Sequence, residues 1–284
     1  VQHIRRKELT GAGLGLLALL TAGTATGQPP ARPSDGALQA ITQEGRRIAS
    51  YHEAISTARK RLGERTDLGD QTLAIVVERG GAQHVAFITR GTKAQESKGF
   101  MLLADAVFQP RAGEVQRLDV FEPPKPVPAD VMTMQRALET ARTAAQAHAA
   151  DARPPFLEAI FRDKDKGFTI YLQSRARSPV MVRFGADVRL KIGSDGYQVV
   201  EVTVLHEPGE SSDVPPGDGK SPTLHSHSLG DLPTGTDVAL VVENPRLAPH
   251  LVMTPSWILR IEADGALTWI GRNEVPPAAP GGGM

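Results

Sequence analysis

Between Phe156 and Leu205 the chain repeats one pattern five times, a short β-rich apolar run followed by a polar break. The runs are Phe156–Phe161, Phe168–Leu172, Val180–Phe184, Val188–Ile192 and Tyr197–Leu205. Two of the breaks, Asp163 to Gly167 and Ser194-Asp195-Gly196, carry residues that favour tight turns, so consecutive strands are expected to pair antiparallel. Thr72–Val77 and His84–Thr89, separated by a turn region holding Gly80-Gly81, read as another hairpin, and Phe100–Phe108 and Val115–Val120 are two further apolar stretches, either one a candidate strand of that sheet. Helical periodicity occurs in two long stretches. Ile41, Ile48, Ile55 and Leu62 recur every seven residues beside Leu38, Ala54 and Ala58, with Ser34 or Asp35 to start the helix and Gly63 to end it. Residues 130–150 are Ala-rich, with Val131, Met134, Leu138, Ala141 and Ala145 on one side. The class expected is α+β: an N-terminal helix plus a small antiparallel sheet, then a C-terminal domain with a mixed sheet.

Proline divides the chain further. Three prolines within Pro123 to Pro126 remove backbone donors, so 123–129 is expected to be an extended linker between a module at 37–122 and a domain at 130–272. Glu207 to Ser221 reads as a loop. A strand ending at His225–His227 follows, then a short helix from Thr234 to Asn244 stopped by Pro245. A strand His250–Thr254 leads into a hairpin around Asp264-Gly265 that carries Trp257 and Trp269, which core packing would explain. Residues 273–284 are a low-complexity tail.

Arg5, Arg6 and Lys7, the apolar run Leu14–Leu20 and the small residues before Gln28 have the order of a secretory signal peptide at 1–27, with a Pro/Ala/Ser leader at 28–36. The expected compartment is the bacterial periplasm or the medium, and membrane association would come only through an uncleaved signal segment. Composition narrows the chemistry. Thirty-two basic against 32 acidic residues leave no surplus charge for nucleic acid. The absence of Cys excludes disulfides, thiolate metal sites and a cysteine nucleophile. The partner expected is a protein or peptide.

One segment speaks to chemistry. In Leu224-His225-Ser226-His227, the two histidines at i and i+2 of a strand share a face and can converge on one metal ion. Asp237, ten residues further on, stands at the first turn of the next helix, where it can add an oxygen. Two His, one carboxylate and an open position would activate water on zinc. A competing account makes Thr234 and Asp237 a capping box and the histidines a partly buried pair beside a carboxylate such as Asp231. His206 and His250 are further ligand or proton-carrier candidates, although isolation near strand ends reads as a surface placement.

His225-x-His227 followed by six residues and Thr234-Gly235-Thr236-Asp237 resembles the JAB/MPN (JAMM) metalloproteases, whose motif is His-x-His, seven residues, then Ser-x-x-Asp. The spacer here is one residue shorter, and Thr stands in place of Ser. The resemblance covers about residues 130–270 and implies a JAMM-like topology and a zinc-dependent amide or peptide hydrolase. It implies that His225, His227 and Asp237 hold the metal, that Thr234 polarises the substrate carbonyl, and that a strand glutamate is the general base: Glu158, with Glu201 as the alternative. The stretch from Tyr171 through Arg189 and His206 to Val238 is also similar to exported bacterial proteins without an assigned activity. That supports a domain family and names no activity; the second functional expectation, a non-catalytic envelope protein that keeps the fold and binds a partner, is favoured by the short spacer and by Thr234.

Overall fold

Ser34 sets the start of the first helix: its hydroxyl accepts from the Ala37 amide at 3.2 Å, and α1 runs from Asp35 to Gly63. The seven-residue stripe does what its spacing requires. Ile48 and Leu62 are fully buried, Ile41 and Ile55 partly so, and Tyr51, Ala54 and Ala58 fill the same face. The chain is described here from a computed structural model, for residues 31–64, 72–90, 99–148, 155–176, 178, 180–207, 211–215, 217–218 and 221–274. The expected signal peptide, residues 28–30 of the expected leader and most of the expected tail lie outside the described residues, and the leader's last two positions, Asp35 and Gly36, belong to α1.

Four strands then form an antiparallel meander: β1 (Leu73–Arg79), β2 (Ala82–Arg90), β3 (Phe100–Gln109) and β4 (Glu114–Pro126). Gly80 and Gly81 make the β1–β2 turn with φ of 58° and 80°, a conformation open to glycine and costly for side chains with a Cβ. Helix α2 (Ala129–His148) follows directly. A second antiparallel sheet has the order β5 (Phe156–Arg162), β6 (Phe168–Ser174), β8 (Asp187–Ile192), β9 (Val199–Val204). The short β7 (Val182–Phe184) leaves this sheet and pairs with β10 (Ser212–Val214), so the run at 180–184 does not join its sequence neighbours and the expected loop at 207–221 contains a strand. A third sheet is mixed: β11 (Thr223–Ser226) lies parallel to β12 (His250–Met253), which continues antiparallel through β13 (Trp257–Ile261) and β14 (Leu267–Arg272). Helix α3 (Gly235–Glu243) and a 3-10 turn at Pro245–Leu247 connect β11 to β12. The class is α+β.

The expected linker is not a linker. Pro123, Pro124 and Pro126 belong to β4, which is tolerable because β4 is an edge strand and its outer side needs no amide donors. Nor does a boundary run there. The described residues from Pro33 onward form one compact unit, and a single core contains residues of α1, the first sheet, α2 and the second sheet, among them Ile48, Phe87, Phe108, Leu138 and Phe168. A second core joins Leu38 of α1 and Phe184 to Val238 and Val241 of α3 and Leu259 and Ile261 of β13. Helix α1 therefore serves both halves. Trp257 and Trp269 meet edge to face at 6.2 Å on the last hairpin.

Tyr51 is buried in the main core and its hydroxyl accepts from the Val76 amide at 3.3 Å. Burial, reinforced by the nearby Glu158 carboxylate, pushes its pKa up well past the ordinary value of 10.0. The fold thus prefers the neutral phenol. This contribution to stability is complete below about pH 10 and is lost as pH rises beyond it. Urea midpoints measured at about pH 9 and about pH 11 will fall over that interval, and Tyr51→Phe will flatten the fall while costing about 1 kcal/mol at neutral pH through the orphaned Val76 amide.

Candidate metal centre

Three elements bring four side chains to one point. Strand β11 places His225, and His227 follows just past its end, held by its amide donating to the Met253 carbonyl at 2.7 Å. The two imidazoles lie on one face, with their Nε2 atoms 2.9 Å apart. His206 arrives from the segment after β9, which is anchored by the Leu205 amide on the Asp187 carbonyl at 3.0 Å. Its Nε2 is 2.8 Å from that of His227. The carboxylate comes from the first turn of α3: Asp237 Oδ2 lies 3.0 Å from His227 Nε2, and Oδ1 lies 3.3 Å from both His206 Nε2 and His225 Nε2. None of these four side chains is more than 3% exposed.

Asp237 holds both of the positions that the sequence left as alternatives. It closes the capping box of α3, accepting from the Thr234 amide at 2.7 Å and the Thr234 hydroxyl at 2.8 Å, all through Oδ2. Oδ1 has no hydrogen-bond donor among the described residues and points among the histidines. Capping fixes the carboxylate's direction, and the helix N-terminus supplies part of the positive field that holds it ionised.

The hydrogen bonds behind the histidines determine what faces inward. Thr223 Oγ1 donates its proton to the Leu247 carbonyl at 2.5 Å, so it must accept from His250 Nδ1, also at 2.5 Å. That leaves His250 Nε2 bare, and it accepts from His225 Nδ1 at 2.6 Å. Burial and the neighbouring His225 depress His250 to about 3, and burial likewise lowers His225, so both rings are neutral and His225 presents a lone pair at Nε2. His206 donates from Nδ1 to Asp187 Oδ1 at 2.5 Å, while the Thr236 hydroxyl donates to Asp187 Oδ2. Phe184 stacks on His225 and His250 with centroids 4.4 Å away from each, which fixes both ring planes.

Lone pairs and a carboxylate facing each other in a dry pocket require a positive charge. A proton is one answer. Burial lowers the affinity of His206 for it, but Asp187 and Asp237 outweigh that and push its pKa up to about 11. Burial would raise Asp237, yet the three histidines around it hold it well below the usual carboxylate range. A metal ion is the other answer, and His206, His225, His227 and Asp237 form a group that could hold one. Ligand bonds of ~2.0–2.1 Å in tetrahedral array need donor separations of about 3.3 Å; the contacts given above, which use both oxygens of Asp237, run from 2.8 to 3.3 Å, and one ligand atom from each of the four residues lies within 4.8 Å of the others.

Sequence reasoning thus assigned three of these four side chains to the metal, and named His206 as a further candidate while reading its setting as surface. His206 and His250 are not surface residues but 2% and 0% exposed. The carboxylate beside the histidines is Asp187, at the start of β8, and Asp231 is exposed. Glu158 is not part of the group: its two oxygens take a fork from Arg142 at 2.6 and 2.5 Å. Glu201 faces solvent and pairs with Lys191 at 3.2 Å. Thr234 is the cap of α3. The signal that could have pointed to His206 is its position at the close of a β-rich run, where a strand end delivers a side chain to the edge of the sheet.

Asp187 is the partner that sets the His206 tautomer and ring direction. Asp187→Ala should weaken metal affinity about 10- to 100-fold with all four candidate ligands still present, read by competition with a chromogenic chelator.

Compared with known proteins, the chain matches no family model, no curated protein and no solved structure.

Proposed function

We propose that this chain is an exported metal-binding protein in which His206, His225, His227 and Asp237 hold one zinc ion as a closed, structural centre. The observation that carries the reading is Asp237 Oδ1: a buried carboxylate oxygen without a donor, 3.3 Å from the Nε2 atoms of two histidines. Imidazole and carboxylate without thiolate suit zinc among the available divalent ions, and a complete set of four protein ligands in a buried shell is the pattern of structural sites. Bound zinc would supply Lewis acidity in an open site and folding energy in a closed one. Export rests on the basic, apolar and small-residue succession over residues 1–27.

A second reading keeps the amide-hydrolase activity implied by the JAMM resemblance. It is favoured by the convergence of His225, His227 and Asp237 from a strand end and a helix start. It requires His206 to vacate its position for water and a base other than Glu158, whose carboxylate is occupied by Arg142. Elemental analysis of the purified protein tests the first reading: about one zinc per chain is expected, and a chain purified from zinc-supplemented medium without metal overturns it. Peptide and isopeptide cleavage by the zinc-loaded protein would move the second reading ahead.

A further inference from the structure

The last residue of α3 is engaged in a different place from the first turn. Glu243 Oε1 accepts from His52 Nδ1 of α1 at 2.6 Å, so the imidazole's second nitrogen, Nε2, is left to face elsewhere. Nε2 is buried and has no partner among the described residues. Gln135 of α2, 3% exposed, has a buried amide nitrogen in the same condition. Both side chains line one cavity of about 1070 Å³, bounded by α1, the start of β1, α2, β5 and the end of α3. Buried polar groups are nearly always paired, so two orphans on one cavity wall point to a group that is to be received there.

The rest of the lining describes that group. Ile55, Leu138, Phe156 and Val242 give the wall an apolar surface. Arg59, Arg111 and Arg175 also line the cavity, are exposed, and make no ion pair among the described residues. Arg142 is already neutralised by Glu158, and Arg46 by Asp264 at 2.8 Å. With Glu53 as the one acidic lining residue without an ion pair among the described residues, the unmatched charge is positive. The volume is at the upper end of small-molecule sites.

We propose that this cavity binds an anionic ligand with an apolar body, its acid group met by Arg59, Arg111 and Arg175 and its other polar groups by the Gln135 amide and His52 Nε2. The site is separate from the metal centre, and its test does not depend on the metal.

Titration calorimetry of the purified full chain with dodecanoate, and in parallel with dodecyltrimethylammonium, reads the outcome. Saturable binding of dodecanoate near one per chain, with none of the cationic probe, is expected. Arg59→Glu combined with Arg175→Glu should weaken dodecanoate at least about tenfold, since like charges then face the acid group. These side chains are exposed, so circular dichroism should report an unchanged fold. Gln135→Leu should also weaken binding, about threefold, through loss of one donor. Absence of saturable dodecanoate binding, equal affinity for both probes, or full affinity in the double charge reversal would each overturn the proposal.

Discussion

Asp237→Ala will abolish zinc binding at the proposed centre and lower unfolding free energy by about 4 kcal/mol, a fall in Tm on the order of 10 °C for a chain of this size. The size of the effect comes from removing one partner of a buried charged group: three imidazoles would remain packed together with no carboxylate to balance an ion or a proton. Because Asp237 also closes the capping box, a companion variant separates its two duties. Thr234→Ala removes the cap hydroxyl and should cost about 1 kcal/mol while zinc content stays near one per chain. Elemental analysis and thermal melts on the two variants read both quantities. If Asp237→Ala loses no more stability than Thr234→Ala, the carboxylate is a cap and nothing else. Treatment of the parent chain with a strong chelator should reproduce most of the Asp237→Ala loss, and readdition of zinc should restore it.

The second large effect is at the crossing of α1 and α3. A Cβ at Gly45 would sit 2.4 Å from Val238 Cβ and 2.7 Å from the Gly235 carbonyl oxygen, so Gly45→Ala must push two helices apart. A loss of about 3 kcal/mol in urea denaturation is expected. The comparison position is Gly235, where an added Cβ meets the Glu44 side chain, at 2.6 Å from its Cγ. A side chain can swing aside where a backbone carbonyl cannot, so Gly235→Ala should cost about 1 kcal/mol. Since Asp237 lies two residues past Gly235, the spacing of the helices also sets the depth of the carboxylate, and Gly45→Ala should lower zinc affinity along with stability. Equal penalties at the two glycines would mean that the crossing is not as close as the geometry states.

Local signals carried much of the fold. The Ile41 to Leu62 stripe, the Gly80-Gly81 turn, the Thr234 cap and the Asp264-Gly265 turn all act over a few residues, and each appears where its chemistry calls for it. Signals that depend on distant neighbours were misread. Proline at 123, 124 and 126 forbids a central strand but permits an edge strand, and which of these applies depends on what lies beyond β4 in space. The run at 180–184 is as β-rich as its neighbours, yet β6 pairs with β8 and leaves β7 to β10. The two-domain expectation failed for a related reason: the apolar face of α1 says that it packs, not that it packs on both the sheet that follows it and the helix near the C-terminus.

In the candidate site, His225, His227 and Asp237 were visible because a strand's period of two and a helix's first turn are short-range rules. His206 is 19 residues before His225 in sequence, Asp187 is 19 before His206, and His250 is 23 beyond His227. Linear spacing over such lengths does not specify contact. What joins them is the pairing of β6 with β8, the parallel seating of β11 on β12, and the delivery of His206 from the end of β9 beside the start of β8. The amino-acid sequence by itself determined the α+β class, the long helix and three side chains able to meet. Only the tertiary structure decided that a fourth joins them inside a closed shell, because whether a histidine is solvated or confronts another's lone pair is settled by the sheet edges that carry it.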